Sequence, residues 1–145
     1  MPLLRALPST VHSQVALLRL WRRLLRGRRE SRRCLKCLFI ARDGRTVRTL
    51  LTLADVTGPL TSERSVMFSD WLIGLIDRDL AWWRIGYLLC RPGSAEIQAE
   101  DLEWAATMRS STLHAGAMCE VIHLCAGGEV TPLPLDDLPT AAIGF

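Results

Sequence analysis

Short apolar runs alternate along this chain with longer amphipathic stretches, and the two periods separate strands from helices. Pro8-Ser9-Thr10 precedes a segment in which Val11, Val15, Leu18 and Leu25 share one helical stripe, widened by Leu17, Leu20, Trp21 and Leu24. Ser9 or Thr10 suits the cap of that helix, because a short hydroxyl side chain accepts from the first unpaired amides. Gly27 marks its end, and 28–33 follows as a basic hinge. Leu35–Ala41 reads as a buried strand and Thr46–Leu53 as its return. Between them Arg42-Asp43-Gly44-Arg45 is a hairpin turn, since Asp-Gly tolerates the positive backbone angles that a tight turn needs. After the loop Asp55–Pro59, Thr61-Ser62 opens a helix whose apolar positions Phe68, Trp71, Leu72, Leu75 and Ile76 recur at helical spacing.

Trp82–Cys90 is a second buried strand. Its apolar run barely alternates, which predicts cover on both faces and a parallel neighbour. Pro92-Gly93 ends it. Ala99–Ala115 is the last long helix, with Glu100, Asp101 and Glu103 in the first turn, where the helix dipole favours negative charge. Gly116 is its expected left-handed cap. Met118–Cys125 reads as a third buried strand, Gly127-Gly128 as a tight turn and Glu129–Leu133 as a short final strand. The tail, with Pro132, Pro134 and Pro139, is expected to be extended and partly disordered. The order is helix, hairpin, helix, strand, helix, hairpin: an α/β sandwich in which helices pack on a mixed sheet. It divides into a basic amphipathic helix and hinge over 1–32, one domain over 33–135 and a tail over 136–145.

Charge sharpens that division. Residues 1–48 carry 13 Lys and Arg against Glu30 and Asp43, a net of +11, whereas residues 49–145 carry five Arg against 13 Asp and Glu, a net of −8. Such a basic head suits an anionic partner, nucleic acid or an anionic surface, met through Arg19, Arg22, Arg23, Arg26, Arg28 and Arg29. The competing expectation is that the helix docks on its own domain, with the arginine stems flanking the contact. No run of 18 uncharged apolar residues occurs, so a spanning helix is not expected. Five cysteines (34, 37, 90, 119 and 125) without a recognisable export signal predict reduced thiols and a cytoplasmic setting.

Candidate chemistry centres on Leu88–Ser94 and the acidic helix start Gln98-Ala99-Glu100-Asp101. A strand–loop–helix junction of this kind is where α/β proteins place ligands. The other groupings are weaker. Cys34 and Cys37 have knuckle spacing but opposite strand parity, and Cys119 and Cys125 stand roughly 20 Å apart along a continuous strand, too far for one ion. His12, His114 and His123 fall on different elements and make no nucleophile–base grouping. His123 is expected to be a core histidine, and Trp82 and Trp83 to supply one exposed ring for a partner or a second copy of the chain.

The element order and several local matches resemble the RadC-like JAB/MPN (JAMM) domain over about residues 33–135. Cys37–Arg45 is similar to the family's first apolar strand and polar turn. Phe68–Ala81, Ile85–Leu89 and Pro92–Ser94 are similar to its helix, the next strand and the end of the histidine loop. Glu100-Asp101-Leu102 matches the start of the following helix, and Cys119–Leu124 with Gly127-Gly128 the last strand and glycine turn. The resemblance implies a cytidine-deaminase-like α/β/α sandwich, a metallopeptidase-like ancestry and a link with DNA repair. Active relatives hold zinc through two histidines and an aspartate, with a glutamate as base. On those positions this chain has Leu89 and Arg91 for the histidines, Gln98 for the loop serine and about Arg33 for the glutamate. Only Asp101 remains. Zinc needs nitrogen, oxygen or sulfur donors and an open position for water, so the expectation is a pseudoenzyme: no catalytic residue, no metal, and a binding or scaffold role. The alternative is a zinc-dependent metallopeptidase-type hydrolase with an altered site, using Asp101 with Cys90.

Overall fold

The computed structural model describes residues 14–25, 33–41, 46–54, 60–78 and 82–134. In chain order they form α1 (Gln14–Leu24), β1 (Cys34–Ala41), β2 (Thr46–Ala54), α2 (Ser62–Arg78), β3 (Trp82–Cys90), α3 (Ala99–His114), β4 (Met118–Cys119), β5 (His123–Ala126) and β6 (Glu129–Pro132). The expected hairpin turn at 42–45, the cap at Ser9 or Thr10, the hinge over 28–32 and the tail from 135 onward lie outside the described residues.

One mixed sheet runs β2-β1-β3-β5-β6, with β4 also on β3. β1 is antiparallel to both β2 and β3, while β3 is parallel to β4 and β5. The predicted single strand over 118–125 is therefore two short strands in one lane beside β3. The lane breaks where the Glu120 N–H donates to the Ile85 carbonyl at 3.0 Å and its side chain turns to the Arg84 guanidinium at 2.6 Å.

Both faces of the central strands are buried, as the near-continuous apolar runs predict. Leu35, Cys37 and Phe39 of β1, Ile85, Tyr87 and Leu89 of β3, and Leu124 and Ala126 of β5 point to one layer. It is closed by Phe68 and Leu72 of α2 and by Trp104, Ala105 and Met108 of α3. Cys34, Leu38, Ile40, Leu88, Cys90 and Cys125 point to the other, closed by α1 through Leu17, Leu20, Trp21 and Leu25. The helix thus docks on the sheet. Its buried stripe differs from the predicted one: Val15 is 56% exposed, and Leu17, Leu20 and Trp21 take the centre. Gly86 accounts for this choice. A Cβ there would stand 3.3 Å from the Leu17 Cδ1 and 3.8 Å from the Trp21 Cζ2, so the bare backbone of β3 lets α1 settle close.

The long helices begin and end on local signals. The Thr61 hydroxyl accepts from the Arg64 amide at 3.2 Å, and Gly116 at φ +92° closes α3. Its N–H reaches the Leu113 carbonyl, and the next amide reaches Thr112, both at 3.1 Å, which satisfies two of the terminal carbonyls.

Candidate functional site

The strand–loop–helix junction lies at the carboxyl end of β3, beside its parallel neighbour β5, where α/β sheets commonly place ligands. The Arg91 amide continues the parallel ladder by donating to the Cys125 carbonyl at 3.1 Å. Strand parity then sets the side chains. Leu89 enters the core under α2 and α3, and Cys90 enters the layer under α1. Arg91 turns back towards the first turn of α3.

There the guanidinium is buried, as is the Asp101 carboxylate. Arg91 Nε donates to Asp101 Oδ1 at 2.8 Å and Nη2 to Oδ2 at 2.9 Å, a bidentate pair. Nη1 donates to the carbonyls of Pro92 at 3.2 Å and Ser94 at 2.7 Å, and Nη2 also to that of Glu96 at 2.7 Å. All five N–H donors of the side chain are used. Asp101 Oδ2 accepts in addition from the Gln98 amide at 2.8 Å, which ties the carboxylate to the start of α3. The hydrogen bond with Asp101 raises the pKa of Arg91, reinforced by the charges of Asp101 and Glu100 and opposed by burial.

The loop is shaped around this group. Gly93 takes φ +96°, and the Ser94 hydroxyl accepts from the Glu96 amide at 3.0 Å. Gly127, at φ +58°, presses against it: a Cβ there would meet the Ala95 nitrogen at 3.1 Å and the Gly93 carbonyl at 3.3 Å. Arg33, just before β1, forms an ion pair with Glu100 beside Asp101. The structure therefore gathers Arg33, Arg91, Gln98 and Asp101 at one end of the sheet, with Leu89 packed beneath them. Sequence reasoning singled out those positions but missed the receiving carbonyls of Pro92, Ser94 and Glu96. The only local signal for them is the Pro-Gly break that turns the loop.

No known protein-family model and no curated protein matches the chain.

The remaining candidates are dispersed. Cys90 and Asp101 lie on different sides of the sheet. His123 is 1% exposed on β5 with the Nδ1 atom buried and unpartnered. Burial pulls its pKa down to about 4, opposed by the nearby Val121 backbone and aided by the charge of Arg22. Cys37 and Cys119 neighbour Tyr87 in the core under α2 and α3; burial pushes the Cys119 thiol up to about 12 and Cys37 higher still. Among the described residues no group of three or more His, Cys, Asp or Glu is arranged to hold a metal, and no helix is long and apolar enough to cross a membrane. Arg19, Arg22 and Arg23 lie on exposed positions of α1. Arg26, Arg28 and Arg29 lie outside the described residues, as do the side chains of Trp82 and Trp83.

Proposed function

We propose that this chain is a non-catalytic RadC-like JAB/MPN domain of cytidine-deaminase-like fold, working in the cytoplasm as a binding or scaffold module linked to DNA repair. The observation that carries the reading is the Arg91–Asp101 pair. The one carboxylate that the resemblance keeps from a zinc site holds a tethered guanidinium, and both its oxygens are engaged. The gathering of Arg33, Arg91, Gln98 and Asp101 at one sheet end supports the same alignment. A divalent ion would have to displace a fully hydrogen-bonded cation from a buried position.

The zinc-hydrolase alternative needs Cys90 beside Asp101, and the parity of β3 sends that thiol to the opposite layer. Metal analysis of the chain purified after growth in zinc decides between them: less than a tenth of a zinc per chain is expected. One zinc per chain that vanishes in Asp101→Ala would overturn the reading.

For the binding role, the outward arginines of α1 supply the anion-facing surface, with duplex DNA as the polymer to test. Three phosphate contacts give a salt slope of about −3. The combined substitution Arg19→Ser, Arg22→Ser and Arg23→Ser should flatten it. Deleting the helix is the poorer test, because its other face is core. A slope unchanged by the triple substitution removes α1 from the interface.

A further inference from the structure

The layer under α1 holds three thiols that the preceding reading leaves unused. Cys34 on β1 is the register partner of Cys90 on β3, and Cys90 is the register partner of Cys125 on β5. They form a row across three adjacent strands, on one face, at 6%, 0% and 8% exposure. Cys90 lies between the other two on the shared face. Contact with Cys125, then with Cys34, then burial hold it protonated, well above the ordinary thiol range. With α1 in place the row is unreactive, because the thiolate is the nucleophile.

Register fixes which pairs can bond. Across the antiparallel pair Cys34 and Cys90, facing Cα atoms stand about 4.5–5.5 Å apart; across the parallel pair Cys90 and Cys125 the strands lie about 4.7–4.9 Å apart, and both fall inside the roughly 4.4–6.8 Å that a disulfide spans. Cys34 and Cys125 are separated by two strand spacings, about 9–10 Å, beyond the limit of about 7 Å.

We propose that Cys90 is the obligatory partner in a single-bridge disulfide site, closing with Cys34 or with Cys125, and that α1 is its cover. The oxidant class is a low-molecular-weight disulfide. A row thiolate attacks it, forming a mixed disulfide and releasing one small thiol; the neighbouring thiolate then displaces the second. Two protein thiols lose two protons and two electrons, and the small disulfide is reduced to two thiols. The third cysteine stays reduced. By attacking the Cys90 sulfur of the bridge it can take over the bond and release the other outer cysteine, with no net oxidation. Undocking α1 exposes the row, and it also returns to water the Trp21 indole N–H, which is buried without a hydrogen-bond partner.

The test incubates the full chain with excess oxidised glutathione, alkylates the remaining thiols and maps the peptides by mass spectrometry. Trypsin cuts after Arg33, Lys36 and Arg84 place Cys34, Cys37 and Cys90 on separate peptides, and fragmentation distinguishes Cys119 from Cys125. One bridge per chain is expected, Cys34–Cys90 or Cys90–Cys125. Cys90→Ala should form none, Cys34→Ala should keep the second bridge and Cys125→Ala the first. The two outer variants keep the result readable if Cys90→Ala does not fold. Leu20→Ala, which loosens α1, should speed bridging at least about tenfold. A Cys34–Cys125 bridge, any bridge to Cys37 or Cys119, two bridges per chain, or no bridge at all overturns the site. An unchanged rate in Leu20→Ala overturns the cover.

Discussion

Replacing Arg91 by methionine keeps the side chain's approximate length and removes a cation that donates five hydrogen bonds. Three of these go to carbonyls of Pro92, Ser94 and Glu96, which are exposed residues whose backbone can turn to water. The other two go to Asp101, which has 0% exposure and would keep only the Gln98 amide as a donor. The loss is therefore dominated by a stranded carboxylate. Removing one partner of a buried ion pair costs about 3–5 kcal/mol, a large part of the roughly 5–15 kcal/mol that stabilises an ordinary domain. With a urea m-value of about 2 kcal/mol per molar, the midpoint moves down by roughly 1.5–2.5 M. Asp101→Leu strands the guanidinium instead and should cost a similar amount. The double variant carries neither charge, so it should cost no more than either single change, a coupling of roughly 3 kcal/mol. Urea unfolding of the four proteins, followed by circular dichroism at neutral pH, measures all three quantities. Single shifts below about 0.5 M, or a double shift equal to the sum of the singles, would refute the assignment of the pair as the anchor of the loop.

Two further predictions concern buried titrating groups. His123 has its pKa pulled down to about 4, so the unfolded chain takes up this proton first, near the ordinary 6.5. The contribution is intact above pH 6.5 and is lost as pH falls towards 4, on the order of 3 kcal/mol at full effect; urea midpoints at pH 7.5 and 4.5 should therefore differ less in His123→Gln than in the natural chain. Tyr87, the single tyrosine, donates at 2.6 Å to the Thr112 hydroxyl, whose own proton goes to the Met108 carbonyl, and is held well above pH 10, first by burial. Its contribution is present below pH 10 and is lost as pH rises, so tyrosinate absorbance at 295 nm should appear together with unfolding; a signal from the folded chain at pH 10 would show the ring to be accessible.

The strands were legible wherever burial on two faces leaves a long apolar run: Trp82–Cys90 has the predicted bounds, and its parallel side exists. The third run was not, because its break depends on partners far away in sequence. Glu120 is the one charged residue inside it, and only Ile85 and Arg84 explain why the lane opens there. On α1 two apolar stripes overlap, and their ranking depends on Gly86, some 65 positions further along the chain. Parity alone separated Cys34 from Cys37 and sent Cys90 away from Arg91. The thiol row needs lateral register as well, and a single strand carries no record of its neighbours' register. At the junction, residue types indicated what Arg91 would repel. They did not show the charge buried and fully bonded, because that depends on carbonyls whose direction is set by the fold of the loop.

On the proposed reading, the difference between a guanidinium and a zinc ion at Asp101 is one of residual charge and open valence. A zinc ion held by two neutral histidines and one carboxylate leaves a net positive charge and a vacant position, and both are needed to lower the pKa of a bound water. Arg91 with Asp101 sums to zero, and each N–H of the guanidinium already has an acceptor. Such a pair polarises nothing at its outer edge. It still performs the structural part of a metal's work, drawing the loop over 92–96 and the first turn of α3 onto one centre. Because the cation is part of the chain, that order does not depend on metal supply. The shape of the loop rests on Arg91, which predicts a stability indifferent to chelators: the urea midpoint should be the same with and without EDTA. A midpoint that drops on chelation would mean that something other than Arg91 holds the loop together.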